Sequence, residues 1–395
     1  MTSFDALWAA IEPVGRSGRT GGYRRFAWTR TDAVLREWFT AEAAVRGLDV
    51  VEDRAGNLWA WWGDPDAAGP GVVLGSHLDS VPDGGAFDGP LGVVSALLAV
   101  DALRARGVEP ARPVGVVCFA DEEGARFGVA CTGSRLLTGA LDPGRALALR
   151  DADGVTLAGA LLSLGRDPVR LGADPEAVAR VGVFVELHVE QGRGLVELGL
   201  PVAVGGSVRP HGRWRLDLAG RADHAGTTRL EDRLDPMLAL ASAVTEARAA
   251  ASWAGCLATV GRVLVEPNAV NAVPARVTAW LDTRGDDEGA VRGVVARVGV
   301  AAGVAPVEES FTAATAFDAR LTARAAAVLD DAPVLATGAG HDAGILALAG
   351  IPTTMLFVRN PTGVSHSPAE HAERDDCLAG VAALVRVAGD LAGVR

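Results

Sequence analysis

Lysine is absent from this chain: all 37 basic residues are arginine. That removes a Schiff-base lysine, a phosphate-loop lysine and a Ser–Lys nucleophile together. Cysteine is scarce. The four, Cys118, Cys131, Cys256 and Cys377, form no C-x-x-C pair, so neither a disulfide framework nor a thiolate zinc cluster is expected. No apolar run approaches the roughly 18 residues that a membrane span requires. A net charge of −12 lacks the basic surface that nucleic-acid phosphates demand, so no nucleic-acid partner is expected. The opening MTSFDALWAAIEPVGR has Asp5 early and no basic flank before a long apolar stretch. No secretory signal is expected there, and the expected location is cytoplasmic. Several catalytic signatures are missing too. There is no H-E-x-x-H and no G-x-S-x-G. His188-Val189-Glu190 has no P-C-x-x-C after it, and HSPAEH is one residue too long for an inverted zinc-protease signature. GAGHDAG misplaces the third glycine of a dinucleotide loop.

What is present is length and a large apolar fraction. With 395 residues, 49% of them apolar, the chain can build two cores. Apolar runs alternate with amphipathic stretches, which predicts an α/β fold: a catalytic domain with a central mixed sheet flanked by helices. Residues 72–74, 113–120, 181–187 and 353–358 read as strands, and 91–106 as a helix. Residues 208–313 have a different rhythm, strand, helix, strand, strand, helix, with helices over 236–251 and 284–300. They are expected to form a smaller inserted α+β domain between catalytic segments 1–207 and 314–395, with hinges at Gly205-Gly206 and 312–315.

Polar residues cluster where the apolar strands end. GSHLDSVPDGGAFDGPLGV carries His77, Asp79 and Asp88; FADEEGARFG carries Glu122 and Glu123; FVELHVEQG carries His188 and Gln191. ADHAGTT carries His224 within the insert, and GVSHSPAEH carries Gly363, Ser365 and His366. Open α/β sheets place ligands at the carboxyl ends of their strands. Imidazoles and carboxylates there suit zinc or a similar divalent ion. Five such ligands exceed one open tetrahedral site but suit two ions about 3.5–4 Å apart that share a carboxylate and a water.

In order and spacing these five stretches resemble the M20 family of metal-dependent peptidases and amidohydrolases. They are most similar to its branch of allantoate amidohydrolases, N-carbamoyl-L-amino acid hydrolases and ureidopropionases. The resemblance implies that His77 and His188 bind one metal, Glu123 and His366 the other, and that Asp88 bridges them. It implies that Asp79 steadies the His77 ring, and that Glu122 is the general base acting on a metal-bridging hydroxide. His224 would polarise the scissile carbonyl, commonly from a partner subunit. Gln191, Asn271, Arg284, Gly363 and Ser365 would bind substrate, with Arg284 clamping a carboxylate. The cofactor expected is two divalent ions per subunit, zinc first, with manganese, cobalt and nickel also accommodated. The partners expected are a small carboxylate substrate and a second copy joined through the insert, acting as lid and dimerisation domain.

The expected reaction is hydrolysis of a linear C–N bond in an N-carbamoyl or ureido acid. The alternatives are an N-formyl or N-formimino amino acid hydrolase, an aminoacylase or dipeptidase of the same family, and a silent metal-binding protein. His211, His341 and His371 read as structural or surface groups, with His341 packing behind the site as a further reading.

Overall fold

The computed structural model describes residues 3–393. The chain divides into two compact units: residues up to Ser207 together with those from Ala316 onward, and Val208–Thr315. The expected insert stopped at 313. The compact unit runs to Thr315, where a short strand, Thr315–Ala316, joins the sheet of the larger unit.

The larger unit is built on a nine-stranded mixed sheet. Its centre is four parallel strands in the spatial order Val114–Phe119, Gly71–His77, Val181–Val189 and Thr353–Val358. Three of these four are buried at every residue. Strands covered on both faces read as continuous apolar runs, which is why they stand out in the sequence. The Pro90–Ala105 helix, buried along nearly all its length, packs on the sheet and against the Arg374–Ala392 helix. Leu91, Leu97, Leu103 and Leu384 are almost entirely excluded from solvent, each contributing roughly 1.5–3 kcal/mol.

An antiparallel hairpin of Asp49–Glu52 and Leu58–Trp62 extends one side of the sheet. On the other side lies Val202–Val208, antiparallel to Thr353–Val358. Gly205 and Gly206 are therefore strand residues, not a hinge. A Cβ on Gly205 would lie 2.7 Å from the Met355 Cβ, so this glycine serves close strand approach.

The smaller unit has a four-stranded antiparallel sheet in the order Val307–Thr312, His211–Ala219, Arg276–Arg284 and Leu257–Glu266. In HGRWRLDLA the alternation buries Trp214, Leu216 and Leu218 and turns Arg213, Arg215 and Asp217 outward. Two helices, Pro236–Ala254 and Glu288–Ala302, pack on it. Each starts at an aspartate, Asp235 and Asp287, whose side chain accepts a hydrogen bond from an amide of the first turn. The second helix was expected from Arg284, but Arg284 ends a strand and the helix begins at Glu288, after that cap.

Candidate metal centre

The central parallel strands deliver their polar residues to one end of the sheet. His77 closes the Gly71–His77 strand and is fully buried. Its Nδ1 lies 3.1 Å from the backbone carbonyl of Asp79, so Nδ1 carries the proton and Nε2 presents a lone pair. His188, also fully buried, repeats the device with the Val189 carbonyl 2.9 Å from its Nδ1. Both Nε2 atoms lack a hydrogen-bond partner. Buried acceptors left bare are costly unless a donor or a cation faces them.

Asp88 occupies the space between. Its Oδ1 lies 3.1 Å from His188 Nε2 and 3.6 Å from His77 Nε2. Its Oδ2 lies 3.4 Å from His366 Nε2, which is also 3.4 Å from Glu123 Oε2. Two ligand clusters result, His77–Asp88–His188 and Asp88–Glu123–His366, within each of which the ligand atoms lie within 4.8 Å of one another. The donor set, three imidazoles and two carboxylates, suits a pair of divalent ions sharing Asp88.

A third cluster, Glu186–His188–His341, is buried behind the first. There the Glu186 oxygens already accept the Ser76 hydroxyl at 2.7 Å and the Ala343 amide at 3.1 Å, so Glu186 supports the site and has little left for an ion.

Glu122 and Glu123 follow the Val114–Phe119 strand in a turn held by Asp79, whose two carboxylate oxygens accept the Glu122 and Glu123 amides at 3.1 and 3.0 Å. Asp79 thus meets His77 through its backbone carbonyl, and its carboxylate, 3.5 Å from Nδ1, orders the glutamate turn. Glu122 Oε2 lies 3.7 Å from His77 Nε2, and the Cys131 thiol points at Oε1 from 3.4 Å. Burial, reinforced by the charge of Glu123, pushes the Glu122 carboxyl well above the usual range despite His77. Burial and Asp88 push Glu123 up to about 7. Among the described residues, the basic groups within 4.0 Å of the Asp88, Glu122 and Glu123 carboxylates are all imidazoles, not arginines. A cluster this acidic and this dry calls for added positive charge.

His366 arrives from the loop after Thr353–Val358 in the left-handed region, φ 56°, as does Asp121 at φ 55° just before the glutamates. Such positions cost roughly 1–3 kcal/mol and gather where side-chain aim matters. Gln191 donates to Asp88 Oδ2 at 2.8 Å, and Ser365 Oγ lies 3.1 Å from the same oxygen. Gly363, φ 64°, turns the same loop, its amide bonded to Asn360.

The other substrate-binding candidates belong to the smaller unit. His224 and Ala272 pair across a two-stranded ribbon, and the neighbouring Asn271 carbonyl accepts the Ala225 amide at 3.0 Å, so His224 and Asn271 share one exposed tip. Arg284 ends the Arg276–Arg284 strand opposite His211, and Asp282 holds its guanidinium through contacts of 2.8 and 3.1 Å.

Three contributors escaped the sequence reading. Glu186 stands two residues before His188 on the same strand face, a period-two signal that could have exposed it. Glu370, whose carboxylate accepts the Asp88 amide at 3.0 Å, and Cys131 offer no comparable spacing.

The chain is similar to known proteins over most of its length. Residues 73–390 match peptidase family M20/M25/M40. The N-carbamoyl-L-amino acid amidohydrolase of Geobacillus stearothermophilus is 36% identical, over 99% of each chain. The allantoate amidohydrolase of Escherichia coli is 30% identical, over 94% of this chain and 93% of its own. The crystal structure of a hydantoinase/carbamoylase family amidase from Burkholderia vietnamiensis superposes with a TM-score of 0.86 at 30% identity, covering 98% of this chain and 97% of its own. With a family model matched over residues 73–390 and a relative 36% identical over 99% of each chain, the chain belongs to peptidase family M20/M25/M40.

Proposed function

We propose that this chain is a metal-dependent amidohydrolase that cleaves a linear C–N bond of an N-carbamoyl or ureido acid. That it is a hydrolase of carbon–nitrogen bonds other than peptide bonds follows from relatives that span its whole length. The observation that carries metal dependence is the pair of bare, buried Nε2 atoms of His77 and His188 facing Asp88. His77 and His188 would hold one ion and Glu123 and His366 the other, with Asp88 between. Zinc fits this mixed donor set, as do manganese, cobalt and nickel. Bound there, the ions would acidify a water and stabilise negative charge on the substrate oxygen.

The chain's own residues do the rest. Glu122 takes the proton of the attacking water and returns it to the leaving nitrogen, a role suited to a buried carboxyl whose pKa is raised. Asp79 fixes the turn that aims it. His224 donates to the developing oxyanion, Arg284 clamps the substrate carboxylate, and Asn271, Gln191, Ser365 and the Gly363 backbone line the substrate. A carbamoyl substrate and water then give an amino acid, carbon dioxide and ammonia. Allantoate gives ureidoglycine with the same small products.

A homodimer through the smaller unit is part of this reading. Its support is the Leu257–Glu266 strand at the sheet edge and exposed Leu238, Trp253 and Leu257, at 70%, 81% and 68%.

The test is a turnover screen of metal-loaded protein in which ammonia release is scored on allantoate and carbamoyl amino acids, amine release on formyl and N-acetyl amino acids and dipeptides, and both on formimino amino acids. Highest kcat/KM on a carbamoyl or ureido acid is expected. Preference for the acetyl or dipeptide substrates would overturn the substrate class, and no turnover on any of them would overturn catalysis.

A further inference from the structure

Asp88 needs more than its own side chain to stand between two ions, because the GGAFDG loop that carries it has no regular structure. Its backbone is held from the far end of the sequence. Glu370, buried at 5% exposure, accepts the Phe87 amide at 2.8 Å and the Asp88 amide at 3.0 Å on Oε1. Its Oε2 accepts the Ser365 hydroxyl at 3.1 Å, next to His366. One carboxylate therefore fastens the loop of the shared ligand Asp88 to the loop of His366. The cradle is built for it. Gly85 passes so close that a Cβ there would sit 2.2 Å from the Glu370 carboxyl carbon. Ser365 Oγ also lies 3.1 Å from Asp88 Oδ2, the oxygen on the His366 side, so its one proton is shared between the two carboxylates and the clamp reaches the ligand chiefly through its amide.

We propose that Glu370 is a positioning residue that registers the Asp88 loop against the His366 loop, so that the site for the second ion exists only while this clamp is closed. The proposal rests on the metal-centre reading above. Glu370 touches neither an ion nor substrate in this account. It acts as an acceptor of two amides and a hydroxyl, and what matters is its reach, not its charge. Gln at 370 keeps a carbonyl oxygen for the two amides and an NH2 for the Ser365 oxygen, whereas Asp is a methylene too short to span both loops.

The test is equilibrium dialysis of the full chain against Zn2+, with metal quantified by mass spectrometry, for the wild type, Glu370→Ala, Glu370→Asp and Glu370→Gln, each checked for folding by circular dichroism. The wild type should bind two ions. Glu370→Ala and Glu370→Asp should hold one tightly and the other about 10–100-fold more weakly, the usual loss when a partner of a ligand is removed. Excess Zn2+ should restore their turnover, and Glu370→Gln, which keeps the hydrogen-bond partner, should escape the roughly 10–100-fold loss and bind both ions nearly as tightly as wild type. If Glu370→Ala fails to fold, Glu370→Asp reads the same quantity. A wild type that binds two ions beside Ala and Asp variants that also bind two with equal affinity overturns the clamp alone. So does a Gln variant as weak as Ala. A wild type that takes up no tight ion overturns the metal-centre reading, and the clamp with it.

Discussion

Glu122 and Glu123 are chemically alike neighbours with different surroundings, and the proposed mechanism gives them different tasks. Both amides are tied to the Asp79 carboxylate, so neither residue can swing away. From that anchored turn Glu123 faces His366 at 3.4 Å, on the ligand side of Asp88. Glu122 approaches His77 only to 3.7 Å and has a thiol hydrogen against its other oxygen. Glu122→Gln keeps shape and removes the proton acceptor. Turnover should fall about 10²–10⁴-fold while two ions remain bound, as read by kcat beside metal content. A Gln variant near full activity would remove Glu122 as the base. Arg284→Ala tests the other end of the substrate. KM should rise while kcat changes less, and the preference for a free acid over its amide should vanish; a variant that still discriminates between them contradicts the carboxylate clamp.

At the scale of elements, the site is a product of strand ends and the turns that follow them. Gly89, φ 85°, starts the Pro90–Ala105 helix directly under the His77 ring, and a Cβ there would meet ring atoms at 2.4–2.6 Å. Gly89→Ala should therefore cost about 2 kcal/mol or more in urea unfolding and weaken metal binding, since both the left-handed backbone and the ring contact oppose it. Unchanged stability and metal affinity would contradict this packing. Much of this layer is legible in the sequence because buried parallel strands are apolar throughout and end abruptly in polar residues: 72–74, 113–120 and 353–358 read as strands for that reason. The Asp49–Glu52 strand was not, since DVVE lies mostly exposed and carries no long apolar run, and its partner Leu58–Trp62 was missed although LWAWW is apolar throughout and almost wholly buried. Gly205-Gly206 read as a hinge because a glycine pair has the same appearance whether it bends a chain or admits a neighbouring strand. Glu370 escaped because its work is accepting backbone amides 282 and 283 positions away, and such bonds leave no local pattern. That His77, Asp88, His188 and His366 come together was legible because such residue types recur at strand ends and in the turns that follow them.

At the scale of the whole molecule, the candidate metal cluster draws on residues from 77 to 366, with a compact insert folded from the sequence between them. Continuity of the larger unit therefore depends on an insert that starts and finishes at the Val202–Val208 and Thr315–Ala316 strands, which are neighbours in its sheet. His224 belongs to that insert and Asp88 to the larger unit, so their division of labour can be tested by mixing chains. A His224→Ala chain and an Asp88→Ala chain, each inactive, should regain activity approaching one-quarter of wild type when unfolded and refolded together at equal amounts, if His224 serves the partner's site; that fraction is the random-pairing limit for symmetric dimers in which one of two sites is intact. No recovery would keep His224 within its own chain or outside the reaction. The central claim, that these imidazoles and carboxylates hold the ions on which hydrolysis depends, meets its most direct test in a single titration. Protein stripped by exhaustive chelation is reloaded stepwise with Zn2+ while ammonia release from an N-carbamoyl amino acid is followed. The account predicts no turnover at the start and a rise that saturates at two ions per chain; full turnover in the stripped protein would contradict it.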